Sequence, residues 1–461
     1  MSELLGALNR KPAPAPAQSE NAKRSGSGFW ITLVIPLILF VVALVLFLFR
    51  LSTPPEFIYD EVYHVYTAQQ YLLGNHDAYV WYTHASSPIR GVAYEWTHPP
   101  LGKLIIAASI KLMGDNSFGW RFSSAIFGAI GVVVAYLLAL QITKRRWVAG
   151  LAAGFLLVDG LYFVQSRIGT LDIFIVVFTT AALASFYGYL TSPPGKAAWP
   201  LIRTGILMGL AIAVKWNSFY MAALIGIVAL WRLFSYWRAS GGKQPDPNAV
   251  AGLREHLIWV PAGLIVLPFA IYVASYIPFF VTGHNVSQFV ELQRQMYLYH
   301  TGLKATHAYA SSWWTWPLAI RPVWYYTNNA GGMVSNIYAN GNPILFWTFL
   351  PALIWVTVRW WRTRRLALLV LLIGFFGQWL PWALSPRIAF IYHFLEAVPF
   401  GCLALAIVVG EIWDWGGRWR YVAGGIVTMV VAAFIFFFPI YAAIPLTPEQ
   451  FAMRIWIPSW R

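Results

Sequence analysis

The chain has 461 residues and a formal net charge of +15, yet it is 59% hydrophobic and only 11% charged. Soluble domains carry about 25% charged residues, so composition excludes an ordinary soluble protein and predicts membrane residence. The basic residues sit at the ends of apolar runs and not in one arm or helix, a pattern that sets topology or meets anionic lipid and does not call for nucleic acid.

Residues 1–28 are rich in Pro, Ala, Ser and Gly and read as a disordered cytoplasmic tail. Residues 29–461 read as one all-α transmembrane domain. A membrane-crossing helix needs about 20 apolar residues. Eleven runs qualify, near 29–51, 118–142, 147–165, 171–190, 203–219, 221–238, 257–280, 343–361, 366–383, 389–410 and 420–443. The first follows a polar tail with no small-residue cleavage site, so it reads as an uncleaved span. The single cysteine, Cys402, lies in the tenth run and can form no intramolecular disulfide.

With the N-terminus in the cytoplasm, Arg10, Lys11, Lys23 and Arg24 fall inside. So do Lys144-Arg145-Arg146, then Arg232, Arg238, Lys243 and Arg254, the cluster Arg359, Arg362, Arg364 and Arg365, and the pair Arg418 and Arg420. Every strong cluster lands on one side, as the positive-inside rule requires. Two long segments, about 52–117 and 281–342, then face the exterior. In the first, Pro99-Pro100 opens a periodic stretch that predicts a helix over 99–113 lying in the interface. In the second, Trp313-Trp314-Thr315-Trp316-Pro317 reads as an interfacial anchor, and 328–332 reads as a loop.

Ionisable residues at membrane depth are rare and functional by default. Here Asp60, Glu61, Arg121, Arg167, Asp172, Lys215, Arg387 and His393 gather at the outer ends of the spans. An acidic pair among several cations suits transfer of a group from a membrane-borne phosphate to a hydroxyl. The hydroxyl needs a base, and cations stabilise charge developing on the phosphate. A glycosidase would need two separated carboxylates. No phosphate-cradling loop or dinucleotide fingerprint occurs, so no cofactor is expected.

The same residues carry a family resemblance. Tyr59-Asp60-Glu61-Val62-Tyr63-His64 resembles the Asp-Glu motif of the protein O-mannosyltransferases, and His98-Pro99-Pro100-Leu101-Gly102-Lys103 resembles their His-Pro-Pro-Leu-Gly-Lys block. Arg121 to Ala125, Asp159-Gly160-Leu161, Gln165 to Ile168 with Leu171-Asp172, Val214-Lys215-Trp216, Ser311 to Trp316 with Arg321-Pro322, and Arg387 to His393 follow in order. The resemblance implies a GT-C fold and inverting transfer of a mannosyl residue from polyprenyl-phosphate-mannose to Ser or Thr of exported proteins. It implies the base role for Asp60 with Glu61 beside it. It makes Arg121, Arg167, Lys215, Arg387 and His393 candidates for the donor phosphate or for site integrity, with His64, His98 and Asp172 in support. The segment 281–342 is too short for the soluble insert of eukaryotic members, which implies a compact bacterial form. The implied partners are the lipid-linked donor, a secreted or membrane protein acceptor, membrane lipid and the translocation machinery. The implied location is the cell membrane, with the site on its extracytoplasmic face.

Other readings stay open at this level. The acceptor of the related aminoarabinose transferases is a glycolipid, and a lipid or sugar transporter also carries ionisable residues in its spans. Asp60, Glu61 and His64 share metal-ligand chemistry, with His76, His84 and His98 nearby, although no metal is predicted. Arg167 and Asp172 are spaced to form a structural ion pair. Lys215 can snorkel to the interface. His98 can orient the Pro-Pro turn, and His393 can be an interior histidine.

Overall fold

A computed structural model describes residues 26–241 and 246–461. Residues 1–25 of the expected tail, and Lys243, lie outside the described residues.

In chain order, α1 (Gly26–Leu48) is followed by α2 (Glu61–Leu72), α3 (Leu101–Met113), α4 (Ser117–Thr143), α5 (Arg146–Leu157) and α6 (Gly160–Gln165). Then come α7 (Asp172–Thr191), α8 (Ala198–Val214), α9 (Phe219–Ser240), α10 (Pro247–Pro261), α11 (Leu267–Ser275), α12 (Ile277–Val281) and α13 (Val286–Gly302). The hairpin of β1 (Val323–Ala330) and β2 (Met333–Ala339) precedes α14 (Pro343–Thr363), α15 (Leu366–Trp379), α16 (Val398–Asp414) and α17 (Trp419–Tyr441).

Among the described residues, eight helical segments are long and apolar enough to cross a membrane. The other three expected spans correspond to shorter apolar helices, Leu33–Leu48, Arg146–Leu157 and Ala198–Val214. Two of these stop for local reasons. Asp159 ends the run of α5 because its carboxylate accepts the Tyr162 N–H and starts α6 instead. Lys215 leaves α8 in an extended conformation, φ −159°.

The helices α7 and α16 are apolar on every face and occupy the centre of the bundle. α7 packs on α4 and α8, and α16 packs on α5, α14 and α17. The helix expected over 99–113 is α3, which starts at Leu101, behind Pro100. Asn285 is the N-cap of α13, with a reciprocal bond to Gln288.

Two expectations need correction. The segment 328–332 is not a plain loop. Antiparallel β1 and β2 pair through Ala330 and Met333, and Gly331 and Gly332 (φ 58° and 76°) make the turn that connects them. Nor is 313–316 a uniform interfacial anchor. Trp314 is exposed, but Trp316 is fully buried and donates its indole N–H to Ser311 Oγ at 3.0 Å.

Candidate active site

The chain leaves α1 through a tight turn in which Tyr59 adopts a left-handed conformation, φ 49°. Its ring stacks on Tyr325 of β1 at 4.3 Å and meets Tyr392 edge-on at 6.0 Å. That anchored turn sets Asp60 at the N-terminus of α2, where its carboxylate makes no capping bond.

Glu61, the next residue, has the opposite environment. It is fully buried, and its carboxylate receives Arg121 Nε at 2.7 Å and Nη2 at 2.8 Å. It also accepts the backbone N–H groups of Ile58 at 2.9 Å and Gly169 at 2.8 Å. A Cβ at Gly169 would come within 2.5 Å of Val65, so only glycine lets this backbone approach Glu61. Arg121 spends its remaining N–H groups on the carbonyls of Leu51, Pro54 and Glu56. With its donors used, Arg121 holds the turn that carries Asp60 and has nothing left for a phosphate.

Arg167 anchors the end of α1 with part of its donors. It donates to the carbonyls of Phe47 (3.1 Å) and Phe49 at the C-terminus of α1, over the ring of Phe163. The Arg167–Asp172 pair is not formed. Asp172 instead accepts from Lys215 Nζ at 2.9 Å, which also removes the snorkelling alternative for Lys215. His393 caps its own turn through the Phe390 N–H at 3.1 Å and packs against Trp382 at 4.2 Å, as an interior histidine does.

Asp172, Lys215 and Arg387 each act electrostatically on Asp60. Burial and the charge of Asp172 push the Asp60 carboxyl up to about 7, against the opposing pull of Lys215 and Arg387. Arg387 donates to His300 Nδ1, while its Nε is buried without a hydrogen-bond partner among the described residues. Beside it opens a cavity of about 400 Å³ lined by Ser311, Ser312, Trp313, Trp382, Ser385 and Arg387. An apolar groove of about 680 Å³ runs between α9, α14 and α15 from Trp360 to Pro381 and Leu384, just before Arg387 in the chain.

Sequence reading missed several residues of this site. Glu95 and Lys103 form a buried ion pair at 2.8 Å, and Lys103 also donates to His98 O at 2.7 Å. Burial raises the Glu95 carboxyl, but Lys103 and His64 outweigh it and hold it near about 2. His300 stacks on His98 at 5.1 Å, and His98 lies 6.4 Å from His64. Burial lowers the His64 and His300 imidazoles to about 4. Glu396 receives the side-chain amides of Asn217 and of Gln378 (2.9 Å). The signal for Lys103 was a lysine on the buried face of α3. Glu95, His300 and Glu396 lie outside any motif and carried none. Among the described residues, no three His, Cys, Asp or Glu side chains are arranged to hold a metal, and Glu61 is already taken by Arg121.

The family described as dolichyl-phosphate-mannose-protein mannosyltransferase matches residues 37–287, and the C-terminal four-span region of protein O-mannosyltransferases matches 285–460. The chain belongs to this family. It is a glycosyltransferase. A polyprenol-phosphate-mannose–protein mannosyltransferase of Mycobacterium tuberculosis is 28% identical over 88% of this chain and 86% of its own. The protein of the same description from Mycolicibacterium smegmatis is 28% identical over 79% and 82%. Among solved structures, the Saccharomyces cerevisiae protein O-mannosyltransferase complex bound to its sugar donor superposes with a TM-score of 0.77 at 17% identity, covering 100% of this chain and 94% of that one. The ArnT protein of Cupriavidus metallidurans bound to undecaprenyl phosphate gives 0.58 at 16% identity, covering 94% and 76%. These likenesses establish the GT-C fold.

Proposed function

We propose that this glycosyltransferase moves a mannosyl residue from a polyprenyl-phosphate donor to a Ser or Thr hydroxyl of an exported protein, with inversion. The observation that carries the reading is a contrast among five neighbouring carboxylates. Glu61, Glu95, Asp172 and Glu396 each accept hydrogen bonds from a side chain, whereas Asp60 makes no side-chain hydrogen bond among the described residues. A free carboxylate near neutral pKa is suited to be a general base.

In the reaction, the acceptor oxygen bonds to the anomeric carbon as the bond from that carbon to the phosphate oxygen breaks. The hydroxyl proton passes to Asp60, and polyprenyl phosphate leaves with the bonding electrons. Lys215, with donors beyond its Asp172 bond, and Arg387, with its unpartnered Nε, are the cations suited to the leaving phosphate. The apolar groove ending at Leu384 suits the prenyl chain. The names of the mycobacterial relatives support both the mannosyl donor and the protein acceptor.

The test combines purified chain, labelled polyprenyl-phosphate-mannose and membrane extract, followed by mass analysis of the product. Label on Ser or Thr of protein supports the proposal, and label on glycolipid overturns the acceptor. Wild-type turnover by Asp60→Asn overturns the base.

A further inference from the structure

At the membrane face opposite Asp60, three helix ends meet. They are the α4–α5 turn at Lys144 and Arg145, the α14–α15 turn at Arg364 and Arg365, and the C-terminus of α16. Arg145 grips both oxygens of Asp414 at 2.5 and 2.7 Å. Arg359 reaches one oxygen of Glu411 at 3.2 Å, and the Trp355 indole N–H donates to the other at 2.8 Å. Both carboxylates are thereby matched. Among the described residues, the side chains of Arg362 and Arg365 make no hydrogen bond or ion pair.

Two cavities, of about 430 and 240 Å³, share Arg359, Glu411 and Asp414 as a common wall. Arg362 lines the first and Arg365 the second. Four arginines thus face two carboxylates. The second cavity continues onto apolar Val148, Leu368 and Ile407, so a ligand placed here has its charge beside arginine and its tail along helix surface. Trp355 and Trp415, half-exposed and 5.9 Å apart edge-to-face, stand at the rim, where indoles mark the level of lipid headgroups.

We infer that this paired cavity binds the phosphate headgroup of an anionic phospholipid, with Arg362 and Arg365 as its uncompensated cations. Basic pockets between span ends hold such headgroups, each cation contributing about 1 kcal/mol near a charged membrane surface. The apolar wall selects a lipid over free phosphate. Because both arginines lie far from Asp60, the site does not depend on the identity of the sugar or acceptor.

The experiment titrates the purified, delipidated full chain with phosphatidylglycerol or phosphatidylcholine and counts bound lipids by native mass spectrometry. Phosphatidylglycerol should be retained in preference. Arg362→Gln and Arg365→Gln should each weaken its retention about fivefold. Lys196→Gln, an exposed lysine on the same face, should leave retention unchanged. Millimolar inorganic phosphate should not displace the lipid. Equal retention of the two lipids, wild-type retention by both arginine variants, or displacement by inorganic phosphate would each overturn the inference.

Discussion

Two ion-paired regions flank the start of α2. In one, Glu61 and Arg121 exchange two short bonds and spend their other valences on backbone groups of the turn 51–58 and on Gly169. In the other, Asp172 and Lys215 share a single bond, and Asp60 and Arg387 stand beside them with unused polar atoms. The first region is closed, because every donor and acceptor has its partner. The second has capacity to spare, and only spare capacity can meet a substrate. Proximity in sequence is no guide to which is which, since Asp60 and Glu61 are adjacent.

That contrast can be broken from either side. The largest effect on activity is expected from Asp60→Asn. Loss of a general base should cut transfer by about 10²–10⁴-fold while the unfolding temperature stays at the wild-type value, both measured on the purified variant. Arg121→Ala should do the reverse kind of damage. It leaves the Glu61 charge buried and unpaired, which costs about 3–5 kcal/mol, so yield and thermal stability should collapse. A stable Arg121→Ala protein with selective loss of donor binding would erase the distinction between the two regions.

A finer test uses the pH profile. Asp60 must be ionised to accept a proton, so kcat/KM should fall by about tenfold per pH unit below about 7 and level off above it. Removing the neighbouring acid in Asp172→Asn should move that limb to lower pH, because the charge of Asp172 raises the Asp60 carboxyl. Lys215→Gln should move it to higher pH, because Lys215 lowers it. Opposite shifts from the two members of one ion pair are not expected of a merely structural bridge. The smallest effect is expected from Glu396→Gln, whose amide keeps one of the two acceptor oxygens that meet the Asn217 and Gln378 side-chain amides and which should change kcat by no more than a few-fold, about 1 kcal/mol.

Much of the fold was legible because lipid forces it. A run of about 20 apolar residues with cations at its ends has few alternatives to a helix. The places where reading failed are those where a local event overrode periodicity. Asp159 stops one run by capping the next helix, and Lys215 stops another by turning toward Asp172. The hairpin at 323–339 was missed because its strands are rich in Tyr, Trp and Asn, which also fit an interfacial loop.

By itself, the sequence determined the multi-pass helical character, the family and the identity of the charged residues that gather at one end of the spans. It did so because hydropathy, charge placement and motif blocks are properties of the chain in one dimension. Only the tertiary structure divided those charged residues into partnered and available. Arg121 became scaffold, Arg167 tied part of its donors to the end of α1, Lys215 and Arg387 kept free donors, and Asp60 separated from Glu61. The reason is that a hydrogen bond is decided by the atoms that arrive within 3 Å. Two of Glu61's three partners, Arg121 in the first turns of α4 and Gly169 in the α6–α7 connection, are distant in the chain and reach it only through the tertiary fold.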